Sequence, residues 1–177
     1  KTFEAGLVYG KDNLFEINSV FFYREEDNAI ILPDYITYQN ATETLNAKGV
    51  ETELKINALE DVKLRLGHTY TNKSADLDYI PKNKFTALLE TTKFKNTYIS
   101  IQFKNISERT YFDQWGTGAN INLDAYNLVD VYASHQLIKD RLSVFVQAKN
   151  IFNEDYVETI GYTTKGRNFK VGLDFTF

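Results

Sequence analysis

The sequence predicts an all-β fold: an antiparallel, up-and-down transmembrane β-barrel segment of about nine strands. Three observations predict it. Apolar and polar residues alternate with period two from one end of the chain to the other. The connections between these runs are short and long by turns. The composition holds 13 Phe and 12 Tyr but only 2 Pro, with no Cys and no Met, which suits pleated strands better than helices.

The first strand sets Phe3, Ala5 and Leu7 against Glu4 and Gly6, and a less regular run over 14–24 follows. In the third, Val50, Thr52, Leu54 and Ile56 oppose Glu51, Glu53 and Lys55; in the fourth, Val62, Leu64 and Leu66 oppose Lys63, Arg65 and Gly67. Phe85, Ala87 and Leu89 face away from Thr86 and Glu90, and Ile99, Ile101 and Phe103 from Ser100, Gln102 and Lys104. The seventh run, 124–137, is again less tidy. In the eighth, Leu142, Val144, Val146 and Ala148 oppose Ser143, Gln147 and Lys149, with Phe145 the one apolar residue on the polar side. The last strand alternates Phe169, Val171, Leu173, Phe175 and Phe177 with Asn168, Lys170, Gly172, Asp174 and Thr176.

Residues 10–13, 58–61, 95–96 and 138–141 are short, and most carry the Gly, Asn or Asp that tight hairpins require. Residues 25–42, 73–83, 109–122 and 153–166 form long, polar, irregular links, and both prolines fall in them, where a missing N–H harms no ladder. Parity then places every long link at one rim and every short turn at the other, with Phe177 at the short-turn rim.

Alternation alone does not say which face meets solvent. A soluble barrel or sandwich that binds an apolar ligand would turn Phe169, Val171, Leu173 and Phe175 inward. A membrane barrel would turn them out to lipid, with Tyr9, Tyr23 and Tyr70 as an aromatic girdle near the strand ends. Strand lengths near the roughly 9 to 11 residues that cross a bilayer at a tilt favour the second reading. So does a chain that ends on Phe177 inside a strand. A structural outer-membrane barrel without transport is a third reading.

The formal net charge of -4, with Lys and Arg scattered, offers no footprint for nucleic acid. His68 and His135 lack carboxylate or Cys partners at metal-ligand spacing, so no metal site is expected. No nucleophile, phosphate-loop or dinucleotide motif occurs, and neither an enzyme nor a cofactor is expected. Glu51 and Glu53 share a face and read as a solvated wall beside Lys55, Lys63 and Arg65. The 109–122 link gathers Tyr111, Phe112 and Trp115 beside Gly116 and Gly118, an aromatic surface able to stack on a planar or apolar small molecule. Tyr162 in the last link is a second candidate on the same grounds.

One run resembles a known family: Asn150-Ile151-Phe152-Asn153-Glu154-Asp155-Tyr156, followed by Gly161-Tyr162, Gly166-Arg167 and the terminal strand ending in Phe177. In that order these residues resemble the end of TonB-dependent outer-membrane receptors; 2–7 and 47–51 look like earlier strands of the same barrels. The resemblance implies about nine strands of a 22-strand barrel. It also implies import of a scarce ligand held by a plug and extracellular loops until the TonB complex pulls the plug. Outer-membrane lipid and lipopolysaccharide would surround the wall, and Phe177 would be the C-terminal assembly signal. Ile160-Gly161-Tyr162 is similar to small cobalamin-type receptors of Bacteroidetes, while another metal chelate such as a siderophore, or an oligosaccharide, remains open.

A chain that begins at Lys1, straight into a strand, is expected to be a fragment or a processed product: one segment of a longer receptor, or part of an assembly in which a second chain supplies the missing strands. Its first and last strands would otherwise be bare edges, and unmet backbone groups in lipid cost several kcal/mol each. Closure of nine strands on themselves is disfavoured, because an odd-numbered meander brings its first and last strands together parallel. Its narrow lumen would also be crowded by Glu51, Glu53, Lys55, Lys63, Arg65, Lys104, Lys170 and Asp174.

Overall fold

The computed structural model describes residues 1–11, 13–31, 37–74, 79–113, 116 and 118–176. Its strands are β1 (Thr2–Lys11), β2 (Phe15–Glu26), β3 (Ile30–Ile31), β4 (Gln39–Asn40), β5 (Leu45–Leu59), β6 (Val62–Lys73), β7 (Asn83–Thr91), β8 (Thr97–Ile106), β9 (Arg109–Phe112), β10 (Asn120–Leu123), β11 (Tyr126–Ile138), β12 (Leu142–Lys149) and β13 (Asn168–Phe175). There is no helix among the described residues. Nine strands form one antiparallel sheet in the order β1-β2-β5-β6-β7-β8-β11-β12-β13. Each pairs with its neighbour in the meander, so all the long connections lie at one rim and all the short ones at the other. β1 and β13 are the two edges and do not pair with each other. Phe177 lies outside the described residues, but the Thr176 N–H donates to the Arg141 carbonyl at 2.8 Å, which puts the end of the last strand at the short-turn rim.

Turn chemistry explains the short rim. Leu14, Thr97 and Arg141 each close a turn by donating to the carbonyl three residues back, at 2.7, 2.9 and 3.1 Å. The residue before each is Asn13, Asn96 or Asp140, in the left-handed region at φ 61, 58 and 59°, where Asn and Asp are tolerated best after glycine. The β5–β6 connection instead follows a register shift between Asn57 and Leu59.

The register carries the predicted alternation across the whole sheet. Phe15, Ile56, Leu64, Leu89, Ile101, Val131, Ala148 and Phe169 are successive cross-strand partners from β2 to β13. The neighbouring row on the opposite face runs Gly10, Glu16, Lys55, Arg65, Leu88, Gln102, Asp130. One face is therefore apolar and the other largely polar. Phe169, Val171, Leu173 and Phe175 are 68, 69, 67 and 57% exposed. The soluble reading required them to be buried, and this sheet leaves them bare.

Several charges on the polar face are paired with near neighbours. Lys55 Nζ sits 2.9 Å from Glu16 and 3.0 Å from Glu53. Arg65 lies 3.3 Å from Glu90, which also accepts from the Tyr98 hydroxyl at 2.6 Å. Aromatic rings on this face rest over glycines. A Cβ at Gly172 would lie 2.5 Å from the Phe145 ring, and one at Gly49 would lie 2.7 Å from that of Phe22. Both histidines lie on the apolar parity: His68 is 3.1 Å from Asn83, and His135 at the short-turn end is 2.8 Å from Thr97.

Two links expected to be irregular are not wholly so. The 25–42 link contains the ribbon β3–β4, and the 109–122 link contains β9–β10, closed at its tip by Gly118, φ 63°. Runs of two to four residues are too short to display a period, so only the pairing itself reveals them.

Lysine at Ile101, mid-strand on the apolar face, should cost the intact barrel about 2–4 kcal/mol, whereas lysine at Gln102 on the polar face should stay within about 0.5 kcal/mol. Denaturant titration in detergent, read by heat-modifiable electrophoretic mobility, checks the difference.

Candidate functional site

Among the described residues few side chains are buried: Ala29, Ala41, Ile106, Arg109, Leu123, Tyr126 and Asn150. The last five gather around the long-connection rim of β8, β11 and β12. The wall itself has no such core, because each strand offers one face to each side of a single layer. A small crown of packed residues therefore sits on an otherwise coreless sheet.

The crown is built on parity. Tyr126 pairs with Ile106, and both lie on the polar face with Lys104 and Asp130. Residues of the final connection, 150–167, fold against that face. Tyr156 lies on Tyr126 with ring centroids 4.5 Å apart. Lys104 Nζ stands 5.8 Å from the Tyr126 ring and 3.9 Å from Glu158. Arg109, from β9, places its guanidinium 5.2 Å from the same ring and donates through Nη2 to the Val157 carbonyl at 2.7 Å. Tyr126 is 2% exposed and Arg109 6%. Burial, and then the charge of Glu158, raises the Tyr156 hydroxyl above the ordinary tyrosine value.

The motif residues hold this connection shut. Asn150 is buried in the left-handed region, φ 50°, and its amide N–H donates to Asp130 at 2.8 Å. Its Oδ1 accepts from the Glu154 N–H at 2.8 Å, and its Nδ2 donates to the Glu154 and Lys165 carbonyls at 2.8 and 3.5 Å. Asn153, φ 57°, accepts from the Arg167 N–H at 2.9 Å. A Cβ at Gly166 would lie 2.8 Å from that same Asn153 oxygen, which accounts for the glycine. The Thr164 hydroxyl donates to the Tyr156 carbonyl at 2.6 Å. The loop is thus folded by side-chain amides standing in for a ladder.

Of the expected motif residues, Asn150, Asn153, Tyr156, Gly166 and the Arg167 backbone come together, while Phe152 stays exposed. Of the expected ligand residues, Tyr111 is half-buried with its ring 5.1 Å from Tyr79, and Phe112 is exposed at the end of β9. Tyr162 is 77% exposed beside Gly161, φ 84°. Trp115 lies outside the described residues. Sequence reasoning missed Arg109 and Tyr126; the only signal for either was the parity of Tyr126 on β11. Among the described residues no group of His, Asp and Glu could hold a metal ion.

A family model described as "TonB dependent receptor-like, beta-barrel" matches residues 1–151. No curated protein sequence matches the chain. Among solved structures, it is similar to the ferric-catecholate import receptor Fiu from E. coli K12 in its closed form, with TM-score 0.81 and 18% identity over 99% of this chain and 27% of that one. It is similar to the FrpB iron transporter from Neisseria meningitidis (F3-3 variant), TM-score 0.78 and 20% identity over 99% and 31%. It is similar also to the pyoverdine outer membrane receptor FpvA from Pseudomonas aeruginosa PAO1 bound to pyoverdine, TM-score 0.77 and 19% identity over 99% and 29%. At these identities the likeness is one of fold. The chain spans 27 to 31% of the length of these proteins.

Substituting Asn150 by alanine should speed hydrogen exchange at the Glu154 amide about tenfold or more, since a buried hydrogen-bonding group is lost. The exchange of the β11 and β12 ladders should not change. The Tyr156 shift carries a sign. A solvated phenol ionises near pH 10; below that pH the packed and released forms are both neutral and the loop gains nothing. Above it only the released form ionises freely, so loop protection should be flat to about pH 9 and fall beyond about pH 10.

Proposed function

The chain belongs to the TonB dependent receptor-like β-barrel family, and from that premise we propose that it is a stretch of an outer-membrane uptake receptor that imports a scarce metal chelate. The family is one of the bacterial outer membrane, and this stretch is barrel wall. Its apolar face meets lipid, with lipopolysaccharide at the long-loop rim. Its polar face lines the lumen. A plug domain, the remaining strands and coupling to the TonB complex belong to the proposed receptor beyond these 177 residues.

The observation that carries the reading is the asymmetry of the sheet. An apolar row runs unbroken from Phe15 to Phe169 across one face, while paired charges and rings line the other, and every long connection stands at one rim. A membrane wall with a wetted interior and an elaborated outer mouth needs all three. At that mouth Tyr111, Phe112 and Tyr162 supply aromatic surface for a planar or apolar part of the ligand. The ligands of the similar receptors, ferric catecholate and pyoverdine, belong to those proteins. They make a ferric chelate the first candidate here. Cobalamin is the second, supported by Ile160-Gly161-Tyr162 alone.

Binding to the intact receptor of a ferric tris-catecholate, ferric pyoverdine and cyanocobalamin tests the proposal. One of the three should bind, and alanine at Phe112 or Tyr162 should weaken it about tenfold, the loss usual for a contacting aromatic anchor, with barrel assembly unchanged. Binding of none of the chelates would sink the substrate class; unaltered affinity in Tyr111→Ala, Phe112→Ala and Tyr162→Ala would remove these loops from the site.

A further inference from the structure

Three of the four long connections meet at one four-residue strand, β9. From the final connection, the Val157 carbonyl accepts from Arg109 at 2.7 Å. From the 74–82 connection, the Tyr79 N–H donates to the Thr110 carbonyl at 2.9 Å, and the Tyr79 and Tyr111 rings lie 5.1 Å apart. In the sheet the hairpins that bear these two connections are kept apart by β8 and β11. Among the described residues, β9 is in contact with both.

Arg109 is the residue that makes this junction tight. A buried guanidinium is costly unless its donors are used and its charge is shared. Here Nη2 is used on Val157 and the charge faces the Tyr126 ring, while Nε has no hydrogen-bond partner. Tyr126 is in turn covered by Tyr156. Losing either cover would strand the cation, so the arrangement favours being whole over being half made.

We propose that Arg109 is a positioning residue: by holding β9 to Val157 and Tyr126 it joins β9, and with it Tyr79, to the connection 150–167 as one rigid body. Phe112 and Tyr162 are then two parts of a single preorganised surface, suited to the flat or apolar part of a ligand. That last clause rests on the reading of this rim as the ligand mouth; the joining does not. Preorganisation is what a loop-borne site needs to avoid an ordering cost on binding.

The test uses the intact receptor in lipid nanodiscs without ligand. Spin labels at Phe112→Cys and Tyr162→Cys should give a narrow distance distribution, and adding Arg109→Gln should widen it about twofold or more as the loops move separately. Tryptic cleavage after Lys165 or Arg167 should accelerate about tenfold or more in the same variant, with heat-modifiable mobility of the barrel retained. Unchanged width and cleavage in Arg109→Gln would overturn the proposal. Should that variant not assemble, Tyr156→Ala and Tyr79→Ala, on the two loops, take its place. Widening in Tyr156→Ala supports the junction, and no widening in either overturns it. Loops that loosen as expected in the labelled variant, with none of the three chelates bound by the unsubstituted receptor, would refute the import reading and leave the junction standing.

Discussion

The constraint on which this structure depends is that a strand in hydrocarbon has no water to satisfy its N–H and C=O groups, so only a neighbouring strand can do so. The long strands inside the sheet are therefore paired on both sides, β1 and β13 on one side only, and irregularities are pushed to the ends. The two register shifts, at Asn57 to Leu59 and at Gln136 to Ile138, both lie beside short turns, where backbone can meet water. A slip of one residue would exchange the two faces. It would carry Lys63 and Arg65 into lipid at about 2–4 kcal/mol each near the midplane, so the ladder and the apolar row enforce the same register.

The same constraint removes the ordinary reason for a core. A one-layer wall buries its apolar side against lipid, and its other side is left to charges, hydroxyls and rings that must satisfy one another. The Glu16–Lys55–Glu53 and Arg65–Glu90–Tyr98 groups do this on the polar face. Exposed pairs of this sort contribute little to stability; they keep a charged surface ordered without committing it to a partner. Aromatic rings over Gly49 and Gly172 fill the same face where side chains are missing. The packed residues gather instead in the crown, where the chain leaves the bilayer and must find its own partners.

That division explains what was legible in the sequence. The nine wall strands, their faces and their alternate connections could be read because period two and turn chemistry are local properties. Asn13, Asn96 and Asp140 announce their turns, and Leu64 its face, without reference to anything distant. The crown is built from distant pieces. Arg109 meets Val157 and Tyr126, and no spacing in the sequence foretells it. Asn150 and Asn153 stood out as a motif, yet the reason for them lies in the fold: both have left-handed backbone, and the Asn150 side chain holds Glu154 while that of Asn153 reaches across to Arg167. Tyr111, Phe112 and Tyr162 were identifiable as aromatic residues on loops, whereas the strand β9 that carries the first two was not.

The crown nevertheless inherits its direction from the wall. Tyr126 and Asp130 are even-numbered on β11, and the register of β11 with β8 puts them on the face of Lys104 and Gln102. Whatever docks on Tyr126 and donates to Asp130 must lie on that face. The Asn150 amide reaches Asp130 and the Tyr156 ring reaches Tyr126, so the final connection is drawn over the lumenal side of the wall and away from lipid. Had Tyr126 occupied the position of Asn127, the same stack would have hung outside, against the bilayer. The inward fold of a loop of 18 residues, 150–167, thus follows from period two in a strand that ends before the loop begins.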